Sequence, residues 1–331
     1  MTSREIILAN LAHQNPDRPG FCFSQPGRKN DIFGTGLGSS ETYEPMRKLV
    51  GDMEYYDDEW GNLWRRKVDG CAGGEVCEPA LKDWKQLDSM KLPDYDNPKR
   101  YESVRAEFAK AGDMFRLASM PGWVFSTSRY LRKMEVYFVD LVEYREEIDR
   151  LHDRVTELYL KMIRLYAQNG AEGIAFCEDL GVQDRTLVSP SMWREIFRPH
   201  YLKLTGAAHE CGLKVFMHSC GFNWALIDDL ATAGIDCLQF DQPTLYDLPA
   251  LAEKFRRHKV ALFSPVDIQK VLPTGNRAFI ESEAKRMVDT FRGFLICKNY
   301  GDLQGIGVKP EWDRWAYDAL LRAAGVSETQ K

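Results

Sequence analysis

His218, Ser219, Cys220 and Gly221 follow one apolar run of the chain, Glu178 and Asp179 follow another, and Cys297 ends a third. An imidazole, two thiolates and a carboxylate suit Zn²⁺. Sulfur and nitrogen bind it firmly, and an oxygen ligand can leave to open a catalytic position. Singly these signals are weak, since a lone buried cysteine is usually a small core hydrophobe. Their weight comes from convergence, because three separate strand ends would deliver them to one rim. The metal set read from this pattern is His218, Cys220, Cys297 and Glu178. Glu178 and Asp179 have a second reading, as caps of the turn before Gly181. Gly221 either lets the backbone pass close to a bound cofactor or only serves a turn.

The segment 55–64 gathers two Trp, two Tyr and three acidic residues. Tyr55 and Trp60 are its candidates for stacking on an aromatic or corrin face, and the alternative is a hairpin that covers a barrel mouth. Arg129 and Arg132 could pair with substrate carboxylates, or with nearby Glu and Asp. His13, His152, His200, His209 and His258 read as solvated or capping residues. The six other cysteines (Cys22, Cys71, Cys77, Cys177, Cys211 and Cys237) read as packing or loop residues; Cys71 and Cys77 flank Gly73-Gly74, an interval that could in principle hold a metal.

The elements that must position these groups are legible as a rhythm. Short apolar runs at 114–119, 173–177, 214–218, 236–240, 260–264 and 294–297 alternate with amphipathic helical stretches. Helix starts are signalled at Ser189-Pro190, at Phe222-Asn223, at Asp247 before Pro249 and at 274–276. With a short strand at 20–23 this makes seven strands, and an eighth is expected inside the irregular region, about 25–110. Such repeated βα units predict an α/β fold, a single distorted (β/α)₈ TIM barrel over 1–331 with an irregular N-terminal insertion. Gly34-Thr-Gly36-Leu-Gly38 has no helical pattern after it, which weakens a dinucleotide-binding reading. Within the insertion, 54–65 and 66–68 predict an antiparallel hairpin around Trp60-Gly61-Asn62. A helix over the first 15 residues is predicted to be capped by Thr2 or Ser3 and stopped at Asn15-Pro16.

At 331 residues the chain buries a large core without needing disulfides. Its net charge of −5, with signs interleaved, implies no broad surface for nucleic acid. No apolar run reaches membrane-spanning length, and no signal peptide is recognised. Eight scattered cysteines without a CxxC fit a reducing cytoplasm.

Several ordered motifs resemble the uroporphyrinogen decarboxylase-like superfamily. They are Thr2-Ser-Arg-Glu with Pro16-Asp-Arg-Pro19, Leu131-Arg-Lys-Met134 ahead of Asp140-Leu141, and Glu178-Asp-Leu-Gly181 with Gln183. Ser189-Pro190 with Trp193 and Pro199, Met217-His-Ser-Cys-Gly221, and Gly234-Ile-Asp236 complete the series. The resemblance implies the same distorted barrel. True decarboxylases of the superfamily need no metal and hold an acidic tetrapyrrole with N-terminal arginines. Here only Gln25-Pro-Gly-Arg28-Lys meets their Arg-Gln-Ala-Gly-Arg-Tyr signature. The cobamide-dependent methyltransferase branch carries a zinc motif, His-x-Cys with a Cys far downstream, and His218, Cys220 and Cys297 match it. Glu178 falls in the carboxylate region that can complete the shell. The chain departs from the pattern in placing Tyr300 and Gly301 in the loop where several relatives carry the downstream ligand.

The resemblance implies a zinc-dependent methyltransferase that moves a methyl group between a small substrate and the cobalt of a partner corrinoid protein. Zinc would polarise a methoxyl oxygen or hold a thiol as thiolate, with Glu178 as the exchangeable ligand and Asp179 or Tyr300 handling the proton. No corrinoid-binding motif is present, so cobalamin would arrive with the partner. The aromatic segment leans the substrate towards a methoxylated aromatic. Expected partners are the methyl donor or thiol acceptor, the corrinoid protein and, in a homodimer, a second copy of the chain. Nucleic acid and membrane are not among them. The rival readings are a metal-free tetrapyrrole decarboxylase and a non-catalytic barrel that binds a corrinoid protein.

Overall fold

The apolar runs become strands that lie side by side in parallel. The computed structural model describes residues 1–68 and 73–326. Its strands are β1 (Gly20–Cys22), β2 (Ile32–Gly36), β3 (Arg47–Val50), β4 (Met53–Asp57), β5 (Leu63–Lys67), β6 (Glu75–Glu78), β7 (Phe115–Ser119), β8 (Gly173–Cys177), β9 (Lys214–His218), β10 (Cys237–Gln239), β11 (Ala261–Ser264) and β12 (Leu295–Lys298). Among the described residues, eight of these form one parallel sheet in the order β1-β12-β11-β10-β9-β8-β7-β2. This is a nearly closed (β/α)₈ barrel. The eighth strand is β2, which runs through the glycines at 34 and 36.

Among the described residues, the seam between β1 and β2 has a single antiparallel bridge, Cys22 to Asn30. The Asp31 amide also donates to the Phe21 carbonyl at 2.8 Å, and its buried carboxylate adds to this. Asp31 accepts from the Phe21 amide at 2.8 Å and from both terminal nitrogens of Arg18 at 2.6 and 2.7 Å. Two-pronged guanidinium pairing of this kind is stronger and more directional than a single ion pair.

The helices are α1 (Ser3–Ala12), α2 (Tyr101–Phe108), α3 (Val124–Arg132), α4 (Met134–Glu143), α5 (Arg145–Gln168), α6 (Pro190–Ile196), α7 (Arg198–Glu210), α8 (Ile227–Thr232), α9 (Leu248–His258), α10 (Arg277–Thr290) and α11 (Pro310–Ala323). Thr2 caps α1 in a reciprocal box with Glu5, and Ser189, Asp247 and Asn276 cap α6, α9 and α10. The start read at Phe222-Asn223 comes later, at Ile227, and the Asn223 side chain instead donates from Nδ2 back to the carbonyls of Cys220 and Gly221. Among the described residues, no helix is long and apolar enough to cross a membrane.

The irregular region holds an antiparallel sheet in the order β3-β4-β5-β6. The expected hairpin is present as β4 and β5, with strands at 53–57 and 63–67 in place of 54–65 and 66–68. Asp58 organises its turn, accepting from the amides of Trp60 and Asn62, from Asn62 Nδ2 and, at 2.7 Å, from Trp64 Nε1. Trp64 packs edge-on against Tyr130 of α3, with ring centres 4.7 Å apart. The sheet is thereby held against the barrel's C-terminal rim.

Candidate metal centre

Strand alternation decides which side chains meet at the rim. Successive side chains of a strand point to opposite faces, so Cys177 and Asp179 share one face and Glu178 takes the other. Cys177 is the register partner of His218 on β9. The ladder continues one step further through the Glu178 amide, which donates to the His218 carbonyl.

Three donors converge: Asp179, His218 and Cys220 offer ligand atoms within 4.8 Å of one another. His218 Nε2 lies 3.2 Å from Cys220 Sγ and 3.4 Å from Asp179 Oδ1. A tetrahedral ion with bonds of about 2.0–2.3 Å sets its donors about 3.4–3.6 Å apart, which these spacings approach. Asp179 Oδ1 also accepts from the Cys220 amide at 2.9 Å. Its other oxygen lies 3.9 Å from the Arg129 guanidinium.

The electrostatics follow from this crowding. Burial alone would disfavour the charge on Asp179, but His218, the Cys220 amide and Arg129 together hold its pKa down to about 2. Burial likewise opposes the His218 cation. Asp179 and Cys220 outweigh that penalty, with Asp241 behind them, and raise its pKa well above the usual value. Asp179 is therefore a carboxylate at neutral pH, as a metal ligand must be.

Behind His218, Nδ1 is buried without a hydrogen-bond partner, and Asp241 Oδ2 lies 3.9 Å away. Asp241 is itself held by Gln239 Nε2 at 2.5 Å and Lys298 Nζ at 3.2 Å. A carboxylate behind a ligating imidazole fixes its tautomer and orientation, and losing one typically costs 10–100-fold in metal affinity. If the three donors hold a metal, Asp241→Asn is expected to weaken its binding by about that factor. Competition with a chromophoric chelator would measure it, and unchanged affinity would remove Asp241 from this role.

Two expected ligands stand elsewhere. Glu178 is fully buried on the opposite face, where it accepts from the Phe125 amide at 2.7 Å and the Ser126 amide at 3.1 Å. It thus caps the N-terminus of α3, whose first amides have no partner within the helix. Cys297 is fully buried on β12 beside Lys298, which reaches the rim to pair with Asp241. Alternation therefore turns Cys297 away from the rim. Asp179 occupies the place expected for Glu178. Tyr300, in the loop after β12, is half-buried, and its carbonyl accepts from Asn299 Nδ2. Gly221 has φ +77°, and a Cβ there would meet the Gly181 backbone at 2.4 Å, so its close approach is to the neighbouring loop. That crossing keeps the loops after β8 and β9 in contact.

The aromatic segment forms a cleft of about 290 Å³ that includes Tyr56, Trp60, Trp64, Tyr95 and Tyr130. Tyr56 lines it in place of Tyr55, since neighbours on β4 face opposite ways. Trp60 is nearly buried between Tyr95 and Tyr159. Arg129 joins cleft to donors: one terminal nitrogen donates to Tyr130 Oη at 3.0 Å and lies 3.9 Å from Asp179. Arg132 instead pairs with Asp140 at 2.7 Å, in the core. His152 is also buried, against the solvated reading, with Nε2 2.8 Å from Tyr137 Oη. Cys77 donates to the Leu63 carbonyl, and Cys71 lies outside the described residues.

The sequence model of the uroporphyrinogen decarboxylase (URO-D) family matches residues 70–301. The chain belongs to this family. No curated protein sequence gives a significant match. Among solved structures, this URO-D family chain is similar to a methyltransferase from Methanosarcina mazei, with 17% identity over 81% of this chain and 76% of that one and a TM-score of 0.63. It is also similar to a D-psicose 3-epimerase from Clostridium cellulolyticum H10, with 10% identity over 73% of this chain and 86% of that one and a TM-score of 0.45. The first likeness shows the shared barrel.

Proposed function

We propose that this URO-D family member is a zinc-dependent methyltransferase that exchanges a methyl group between a small methoxylated aromatic substrate and the cobalt of a partner corrinoid protein. The observation that carries the reading is the spacing of Asp179, His218 and Cys220 at the rim where barrel enzymes do their chemistry. The donors suit zinc, with one hard oxygen among softer nitrogen and sulfur. Bound zinc would supply Lewis acidity, making a substrate oxygen a better leaving group or holding a thiol as thiolate.

The chain's own residues supply the rest. Asp241, with Oδ2 3.9 Å from His218 Nδ1, is placed to orient the ring from behind. Asp179, the one hard oxygen donor beside softer nitrogen and sulfur, is the ligand to yield to substrate, and Arg129 is placed to steady the carboxylate. The aromatic cleft is lined to receive a flat ring. The corrinoid would be brought by the partner protein. The Methanosarcina methyltransferase, which shares the barrel, is in keeping with this reading.

A tetrapyrrole decarboxylase would need free arginines at the mouth. Arg28, the one signature arginine, instead makes a buried ion pair with Asp313 at 2.7 Å and lies over the Tyr317 ring.

The test is methyl transfer from methoxylated benzoates to free cob(I)alamin, followed by its visible spectrum. Trp64→Ala removes one stacking wall and is expected to raise KM about 10-fold while kcat changes little, the signature of lost uniform binding. No transfer from any methoxylated aromatic would overturn the substrate class. An unchanged KM for Trp64→Ala would remove the cleft from it.

A further inference from the structure

Resting on the zinc reading above, we propose that Cys177 is the second thiolate of this centre, completing a donor set of Asp179, His218, Cys220 and Cys177. Cys177 ends β8 with its side chain on the same face as Asp179, and it is the cross-strand register partner of His218. It is exposed, whereas Cys297, the thiol at the corresponding end of β12, is fully buried and turned towards the helices. Cys297 instead alternates with Lys298, whose amine is the group of β12 that reaches Asp241 at the rim.

The Cys177 thiol stands outside the tight group of three donors. Ligation therefore needs a rotation about its Cα–Cβ bond, a change between staggered rotamers that an exposed cysteine makes cheaply. The gain is a closed soft-ligand set in which the carboxylate remains the exchangeable member. Zinc centres with two thiolates and one imidazole use this arrangement, leaving the fourth position to oxygen. Binding would release the thiol proton to solvent, since only the thiolate ligates.

Cobalt(II) serves as the spectroscopic probe. The full-length protein, stripped of metal, is titrated with Co²⁺, and the sulfur-to-cobalt charge-transfer band in the near ultraviolet is read per bound ion. Its intensity tracks the number of thiolates. Cys177→Ser and Cys220→Ser are each expected to halve the band, the double variant to abolish it, and Cys297→Ser to leave it intact. Zinc is also expected to slow alkylation of Cys177 in the wild-type chain, read by mass spectrometry, which needs no variant to fold. A full band in Cys177→Ser, or alkylation of Cys177 at the same rate with and without zinc, would overturn the assignment. Absence of any band or bound cobalt in the wild type would overturn the metal reading itself.

Discussion

His218→Ala is expected to strip the protein of zinc and, with it, of methyl transfer. Its Nε2 is the hub of the centre, within 3.4 Å of both the thiol and the carboxylate. Losing a group that only orients a ligand costs 10–100-fold in metal affinity or activity, so losing the ligand itself should cost about 1,000-fold or more. A second effect adds to the first. The variant leaves Asp179 and Cys220 side by side without the imidazole that holds Asp179 ionised, so Asp179 protonates more readily and becomes a poorer ligand. Elemental analysis should give about one zinc per wild-type chain and none in the variant. Because His218 is the end of a strand rather than part of the packed core, the variant should keep its helical circular dichroism. A metal-free wild-type protein would sink the reading in favour of the metal-free decarboxylase. Zinc retained at full stoichiometry in His218→Ala would move the centre elsewhere. Bound zinc without any methyl transfer would instead support the non-catalytic barrel.

The legibility of this site in the sequence divides along the strand period. That strands end near Cys177, His218 and Cys297 follows from composition and rhythm, and the apolar runs 173–177 and 214–218 coincide with β8 and β9. Which face each rim residue takes depends on register, and register is fixed by the neighbouring strand. A shift of one position moves a side chain from barrel mouth to helical coat. This is why Glu178, adjacent to Asp179 in a conspicuous acidic pair, turns out to serve α3 while Asp179 serves the rim. It is also why Cys297 is core although its neighbour Lys298 reaches the site. The signal that could have found Cys177 was present: it lies two residues before Asp179, the spacing that puts both on one face. Asp241 was hidden more deeply, since nothing local distinguishes a carboxylate behind a histidine from any other residue in the loop after β10. Packing of the aromatic segment against α3 was likewise not local. Trp64 meets Tyr130 across a large sequence separation, and only the folded barrel brings them together.

Glu178 is expected to matter for stability and not for metal, with a pH dependence that separates the two roles. Its carboxylate is fully buried, and burial is the main cause that lifts its pKa from the ordinary 4.5 to about 7, against the pull of the Ser126 and Phe125 amides and Arg129. The native chain therefore holds this proton more tightly than the unfolded chain. Between about pH 4.5 and 7 the unfolded state has lost the proton while the native state keeps it, so stability falls as pH rises through that window. At 1.36 kcal/mol per pH unit, the whole effect is roughly 3 kcal/mol. Glu178→Gln has no proton to lose. At pH 5 it should fall below the wild type by about 1–3 kcal/mol, because the Gln nitrogen cannot accept and one of the two buried amides loses its partner. At pH 8 its standing relative to the wild type should improve by roughly 3 kcal/mol, a relative gain of about 4 °C in thermal midpoint for a chain of this size. Glu178→Ala, by contrast, orphans the amides of Phe125 and Ser126 at every pH and should cost about 2–5 kcal/mol. Differential scanning calorimetry of the chelator-treated protein at pH 5 and pH 8 reads both. A difference between wild type and Glu178→Gln that does not change with pH would show that the carboxyl is ionised throughout. Zinc retained in Glu178→Gln is the expected result, and its loss in a variant of undiminished stability would return this residue to the ligand set.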